Sequence, residues 1–215
     1  MLAIFDCDGV LVDSEPIANA SFSAALRAQG IDWSIEETMR RLIGRSLKSC
    51  VEIVEAEIGR KLPDDFVDKM QVATYGSFRD APLRPIEGVK DAVLALQAAG
   101  IETCVASSGA VEKMRFTLGL TGLWDLFGGR VFSSSQVPRG KPFPDLFLHT
   151  ALSLNVQPFD CVVIEDSVPG VQAARSAGMR VLAYAAAPYA DRAGLAAAGG
   201  RLFDDMTLLP GLVLQ

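Results

Sequence analysis

Two aspartates two residues apart, Asp6 and Asp8, follow directly on the apolar run Leu2-Ala3-Ile4-Phe5, and Gly9 comes next. Carboxylates at i and i+2 where a chain leaves a sheet can both face one pocket, and the glycine lets the backbone turn close to a ligand. Taken alone, Asp6-Cys7-Asp8-Gly9 serves equally as a calcium-type loop or an ordinary turn. A second acidic pair, Glu165-Asp166, closes the apolar run Cys161–Ile164 and is followed by Ser167, Pro169 and Gly170. Adjacent carboxylates are costly to bring together without a cation, and an all-oxygen set suits magnesium; a solvated helix N-terminus favours the same residues. Ser107-Ser108-Gly109 follows Ala106, offering a hydroxyl and backbone amides that can cradle an anion. Lys141 stands in Arg139-Gly140-Lys141-Pro142-Phe143-Pro144-Asp145, and a loop lysine is usually a solvated charge. Gathered on one rim, these groups supply a nucleophile, an acid/base, metal ligands, a hydroxyl and a cation, the inventory of phosphoryl transfer.

That gathering depends on the elements that carry the residues. Leu2–Phe5, Glu102–Ala106, Arg130–Phe132, Cys161–Ile164 and Val181–Tyr184 read as buried strands. Gly88–Ala99, Val111–Leu118, Pro144–Leu154 and Gly170–Ala177 read as the helices between them, with Gly100, Gly119 and Gly178 at their C-terminal ends and Pro144 near a first helical turn. Strand–helix alternation predicts an α/β fold, a Rossmann-like parallel sheet covered on both faces, with ligands outside the carboxyl ends of the strands. Residues 15–85 break the pattern with helical periodicity alone: Ile17–Gln29, Ile35–Ile43, Leu47–Ile58 and Pro63–Arg79. Ser34 and Glu37 form a capping-box signature for the second of these. The expected organisation is an α/β core of residues 1–14 and 86–215 with an inserted all-helical cap, 15–85, joined through Asp13–Pro16 and Ala81–Gly88.

In order and spacing the four motifs resemble the haloacid dehalogenase superfamily, in particular its phosphatase and β-phosphoglucomutase branch. DCDGVLVDS is similar to the first motif, Ser107 to the second, Lys141 in GKPFPD to the third, and Glu165-Asp166 in EDSVPG to the fourth. The resemblance implies that Asp6 attacks phosphorus and that Asp8 protonates the leaving oxygen and then activates water. It implies magnesium on the Asp6 carboxylate, the Asp8 backbone carbonyl, Asp166 and, directly or at one remove, Glu165. Ser107, Ser108 and Lys141 would hold the phosphoryl oxygens. Asp8 would begin protonated, its pKa raised by the crowding of Asp6, Glu165 and Asp166. Arg45 and Lys48, in the cap loop facing the site in relatives, become candidates for the leaving group; solvated helix-start charges are the equal alternative. The related mutases carry a gating histidine a few residues past the first motif, where this chain has Ala18, so hydrolysis is expected over mutase chemistry. A phospho-receiver domain would lack both Asp8 and the helical insertion.

Bulk composition fits a folded enzyme. Half of the 215 residues are hydrophobic and 21% are charged, and the formal net charge of -6 gives no footprint for nucleic acid or an anionic membrane. No signal peptide or membrane span is expected. Cys7, Cys50, Cys104 and Cys161 form no CxxC pair and read as structural thiols, Cys7 alone lying between site residues. The lone histidine, His149, reads as packing or surface, and Phe22 and Leu26 as core. The expectation is a cytoplasmic monomer acting on a small phosphorylated metabolite, with its physiological substrate set by cap loops.

Overall fold

The computed structural model describes residues 1–80 and 83–215. Its centre is β1 (Leu2–Phe5), apolar and buried at every position because strands flank it on both edges. Ala3 and Phe5 enter one apolar layer, Leu2 and Ile4 the other, as the two-residue period of a strand covered on both faces requires. The partners are β2 (Glu102–Ser107), β3 (Val131–Ser133), β4 (Cys161–Glu165), β5 (Arg180–Tyr184) and β6 (Arg201–Phe203). All pair in parallel, in the order β3-β2-β1-β4-β5-β6. That order reverses between β1 and β4, where such sheets open a crevice at their carboxyl ends.

One layer is filled by α5 (Val89–Ala98), α6 (Val111–Leu120) and α10 (Leu209–Val213), the other by α7 (Asp145–Ser153), α8 (Val168–Ser176) and α9 (Arg192–Ala197). The five expected strands are present within a residue or two. The three-residue β6 was not expected, being too short to show a period. Gly100 and Gly178 take the positive φ of helix ends, but α6 continues through Gly119 and reverses at Gly122, φ +69°.

Between β1 and α5 lie α1 (Glu15–Arg27), α2 (Ile35–Leu42), α3 (Leu47–Ile58) and α4 (Phe66–Asp80). They enclose an apolar cluster of their own, built on Phe22, Leu26, Leu42, Val54, Phe66 and Met70. Phe22 meets Phe66 edge-on at 5.9 Å, and each fully buried side chain of this size stabilises the cluster by about 1.5–3 kcal/mol. Ser34 caps α2 by accepting from the Glu37 amide at 3.1 Å. Glu37 does not complete the box; its carboxylate turns to Arg40 and Arg41, a stronger attraction than a backbone amide offers. Glu15 and Pro16, read as linker, start α1 instead. The two crossings run side by side: the Asp13 amide donates to Arg84 O and the Ile86 amide to Leu11 O, each at 3.0 Å. Ala81 and Pro82 of the second linker lie outside the described residues. The helices meet the core where the Ser108 hydroxyl donates to Gly44 O at 3.1 Å and where Tyr75 stands edge-on to Phe116 at 5.1 Å. Among the described residues no helix is long and apolar enough to cross a membrane.

Candidate active site

The Asp6 amide donates to Ile164 O at 2.9 Å, fixing the end of β1 on the seam with β4. Past that point the chain alternates: Asp6 and Asp8 line a cleft, while buried Cys7 turns into the core, its Sγ 4.0 Å from Thr117 Oγ1. Burial pushes the Cys7 thiol well up, as suits a packing residue. Gly9, at φ +77°, is required sterically, since a Cβ there would lie 1.9 Å from Asp166 Oδ2. Gly170 is required for a similar reason: a Cβ would come within 1.8 Å of Glu165 Oε1. The glycines of the first and fourth motifs thus make room for the carboxylates that belong to the site.

Lys141 is buried beneath these acids. Its Nζ donates to Asp6 Oδ1 at 2.7 Å and to Glu165 Oε1, and stands 5.3 Å over the Phe147 ring. Burial disfavours its charge, but Asp6 and Glu165 outweigh burial and hold the ammonium protonated. The other Glu165 oxygen accepts from the amides of Asp166 and Ser167 and from the Ser167 hydroxyl, each at 2.9 Å. Glu165 is therefore engaged at both oxygens, whereas Asp166 forms no ion pair among the described residues. Asp6, Glu165 and Asp166 each present an oxygen within 4.8 Å of the others. Burial pushes Asp6 up to about 7, opposed by Lys141 and reinforced by Glu165. Burial, then Glu165 and Asp6, hold Asp166 well above the usual carboxylate range. This crowded oxygen set fits a magnesium ion, whose charge would relieve the repulsion; Asp6 and Asp166 have oxygens to give, and Glu165 serves better to orient.

Asp8 departs from expectation. Lys113 Nζ donates to its Oδ2 at 2.8 Å and the Ser14 hydroxyl to its Oδ1. Burial raises the Asp8 pKa, but the Lys113 charge and these hydrogen bonds prevail and hold it below the usual carboxylate range. The crowding argument failed because it counted acids and missed the lysine. Lys113 sits in the first turn of α6, in no spacing that marks it out, and Ser14, which closes the DCDGVLVDS motif, sits just before α1.

Ser107 lines the cleft and accepts from the Gly109 amide at 3.2 Å. The Ser108 hydroxyl is directed to the Gly44 carbonyl. Two further serines secure this loop: Ser133 donates to Gly109 O at 2.7 Å and Ser134 to Ser108 O at 2.8 Å. The run Ser133-Ser134-Ser135 that begins at the last residue of β3 was the available signal for them.

The cleft encloses about 520 Å³ between the α/β core and helices α1 to α4. Arg45, half-buried, and Lys48, exposed, both line it. Ala18 and Asn19 contribute to the wall, and Asn19 Nδ2 donates to Glu15 at 2.6 Å. Burial, followed by the charge of Asp8, pushes Glu15 up to about 7. His149 lies outside the cleft, edge-on to Phe132 at 5.9 Å.

An open parallel sheet with acids, serines and a buried lysine gathered at the carboxyl ends of its strands defines an α/β enzyme whose chemistry centres on carboxylates. Residues 1–178 match the family model of the haloacid dehalogenase-like hydrolases, and the chain belongs to that family. It is 34% identical to a 6-phosphogluconate phosphatase of Escherichia coli over 185 residues, 86% of this chain and 82% of the relative. Hexitol phosphatase B of the same organism is 30% identical over 183 residues, 84% and 81% of the two chains. The solved structure of a haloacid dehalogenase-like protein of unknown function from Agrobacterium tumefaciens is 34% identical, with a TM-score of 0.81 over 99% of this chain and 97% of that one. The chain is a hydrolase of the phosphatase type.

Proposed function

We propose that this chain is a magnesium-dependent phosphatase of small phosphomonoesters, sugar phosphates or similar organic phosphates, working through an aspartyl phosphate on Asp6. The observation that carries the reading is the convergence of Asp6, Glu165 and Asp166 within 4.8 Å beside a cleft that also holds Asp8 and Ser107. The names of the two curated relatives support sugar and polyol phosphates as the substrate class. Magnesium held by Asp6, Asp166 and the Asp8 carbonyl would neutralise charge on the phosphoryl group.

In this reading an Asp6 oxygen bonds to phosphorus as the ester P–O bond breaks, and Asp8, ionised in the resting site, gives the departing oxygen a proton that it has taken up from solvent as the substrate enters. Water then attacks the aspartyl phosphate, Asp8 takes the water proton, and inorganic phosphate and free Asp6 result. Because Lys113 and Ser14 occupy both Asp8 oxygens, the acid acts only once a donor has turned to the substrate. Ser107 and the Ser108 amide receive phosphoryl oxygens, and Lys141 offsets the charge of Asp6 from below. Residues 15–85 act as a cap that shuts water out of the cleft during the first step, over a core of 1–14 and 86–215. Four free, buried cysteines accord with a cytoplasmic location.

Ala18 on the cleft wall cannot donate or titrate as a gating histidine would, which favours water over a second sugar hydroxyl as acceptor. The test is phosphate release from p-nitrophenyl phosphate and a panel of sugar phosphates, with magnesium or with excess chelator. Release only with magnesium is expected. Full turnover in chelator would remove the metal from the reading, and isomerised ester without phosphate release would make the protein a mutase.

A further inference from the structure

We infer that Lys113 is a catalytic residue in its own right: its ammonium donates to an oxygen of the phosphoryl group that is removed, and it is the donor that leaves Asp8 when substrate arrives. The inference rests on the phosphatase reading and adds to it a residue outside the four motifs. Two lysines stand at the acids of the core, and they are differently placed. Lys141 spends two of its three N–H bonds on Asp6 and Glu165, and with 1% of its side chain exposed it supports the site from beneath. Lys113 lines the cleft, with 26% of its side chain exposed. Asp8 is the one partner of its Nζ among the described residues, so two N–H bonds remain for a ligand.

The surroundings of the lysine indicate which ligand. Gly109 has no side chain, and a Cβ on it would stand 3.5 Å from Lys113 Cδ and 3.7 Å from both Asp8 Oδ2 and Ser107 Oγ. The lysine stem, the leaving-group acid and the hydroxyl of the anion-binding turn thus surround one small space past the end of β2, which the glycine keeps open. Ser133 holds the turn in that shape, donating to the Gly109 carbonyl at 2.7 Å. A phosphoryl group bridging Asp6 and Ser107 brings an oxygen to this space. The position is otherwise a poor one for a cation. Lys113 lies in the first turn of α6, where the helix dipole favours anions and opposes an ammonium. Burial opposes its charge too, and Asp8 outweighs burial. The other ionisable side chains that the core turns to the cleft, Asp6 and Asp8, are acids, so Lys113 is the charge there that can answer an incoming dianion. Of the two groups that hold Asp8, Ser14 is fully buried, whereas Lys113 reaches the cleft on a flexible stem. Turning to the phosphoryl oxygen, it leaves Asp8 free to face the departing one.

The experiment measures competitive inhibition by inorganic phosphate, at saturating magnesium, of p-nitrophenyl phosphate hydrolysis by the unaltered enzyme, K113Q and K113R. K113Q should raise the inhibition constant of phosphate and the KM of the ester roughly ten- to a hundredfold, the loss of one charge-assisted hydrogen bond. K113R, which keeps the charge, should retain most of the affinity. Neither quantity depends on a leaving-group acid, since inorganic phosphate has no ester to lose and nitrophenolate departs without one. A lysine that only positions Asp8 would slow an alkyl phosphate and leave phosphate inhibition unmoved, and that result overturns the inference while leaving the phosphatase reading intact. A second comparison, D8N against D8N/K113Q, strands no buried carboxylate and so serves even where K113Q does not fold. The rise in melting temperature on adding phosphate with magnesium should be present in D8N and lost in the double variant. Equal responses in the two, including none, overturn the inference. An unaltered protein that releases phosphate from neither the aryl nor the alkyl ester removes the phosphatase reading and this inference with it.

Discussion

Asp8 is held at both oxygens, by Lys113 and by Ser14, so its position is set before substrate arrives. If it donates a proton to the leaving oxygen, the need for it scales with how poor that leaving group is. Asp8→Ala should slow an alkyl phosphate by about 10²- to 10⁴-fold in the first step, and an activated aryl phosphate far less; equal losses would leave Asp8 an orienting role only. Glu15 gives a separate prediction in stability. Its pKa rises from 4.5 to about 7 on folding, mainly through burial, so between these values the native state holds a proton that the unfolded chain has released. Its contribution therefore falls as pH rises through that window and is fully unfavourable above 7. Glu15→Gln should raise the melting temperature at pH 8, by about 1–2 kcal/mol of stability, and by much less at pH 5. An equal gain at both pH values would place the effect in packing. The acids and the serine pair were legible because each ends a recognisable apolar run, and Lys141 because GKPFPD resembles a family motif, whereas Lys113 was not. One lysine in the first turn of an amphipathic helix looks like any solvated charge until tertiary structure brings it to within 2.8 Å of Asp8.

Among the elements, the turn between α2 and α3 couples the helical segment to the core. Gly44 has φ +75°, its carbonyl accepts from Ser108, and a Cβ on it would lie 2.3 Å from the Ser167 side chain. Gly44→Ala therefore meets both backbone strain and a collision. It should force the turn away from the core and lower kcat/KM for an alkyl phosphate at least tenfold. Ser108→Ala removes one hydrogen bond, about 0.5–1.5 kcal/mol, and should cost roughly ten times or less. Unchanged kinetics in Gly44→Ala would mean that this contact has no part in turnover. The sheet was readable from sequence because its strands are buried on both faces and separated by helices of ordinary length. The turn contact was not, since a Gly-Arg-Ser turn carries no mark of the Ser108 hydroxyl, which lies 64 residues further on. Likewise the Ser34 cap followed local chemistry, but Glu37 had better partners in Arg40 and Arg41 than any local rule would supply.

For the whole molecule, two long-separated stretches of chain bring three carboxylates together, and the fold carries their repulsion. A cation that binds only the folded protein should stabilise it, by about 2.7 kcal/mol at a hundred times its dissociation constant, a rise of several degrees in melting temperature for a chain of this size. Asp166→Asn should melt higher than the unaltered protein in chelator, because one repelling charge is gone, and should lose the magnesium-dependent rise. A magnesium shift that survives in Asp166→Asn would locate the ion elsewhere. Cap, lysine, serines and acids make one machine only if the carboxylate at the end of β1 is what attacks phosphorus. The direct test is the turnover number of Asp6→Asn on p-nitrophenyl phosphate with saturating magnesium, the variant first shown by circular dichroism to be folded. An amide of the same shape cannot accept the phosphoryl group, so a loss of at least about a thousandfold is expected; turnover within tenfold of the unaltered enzyme would contradict the account.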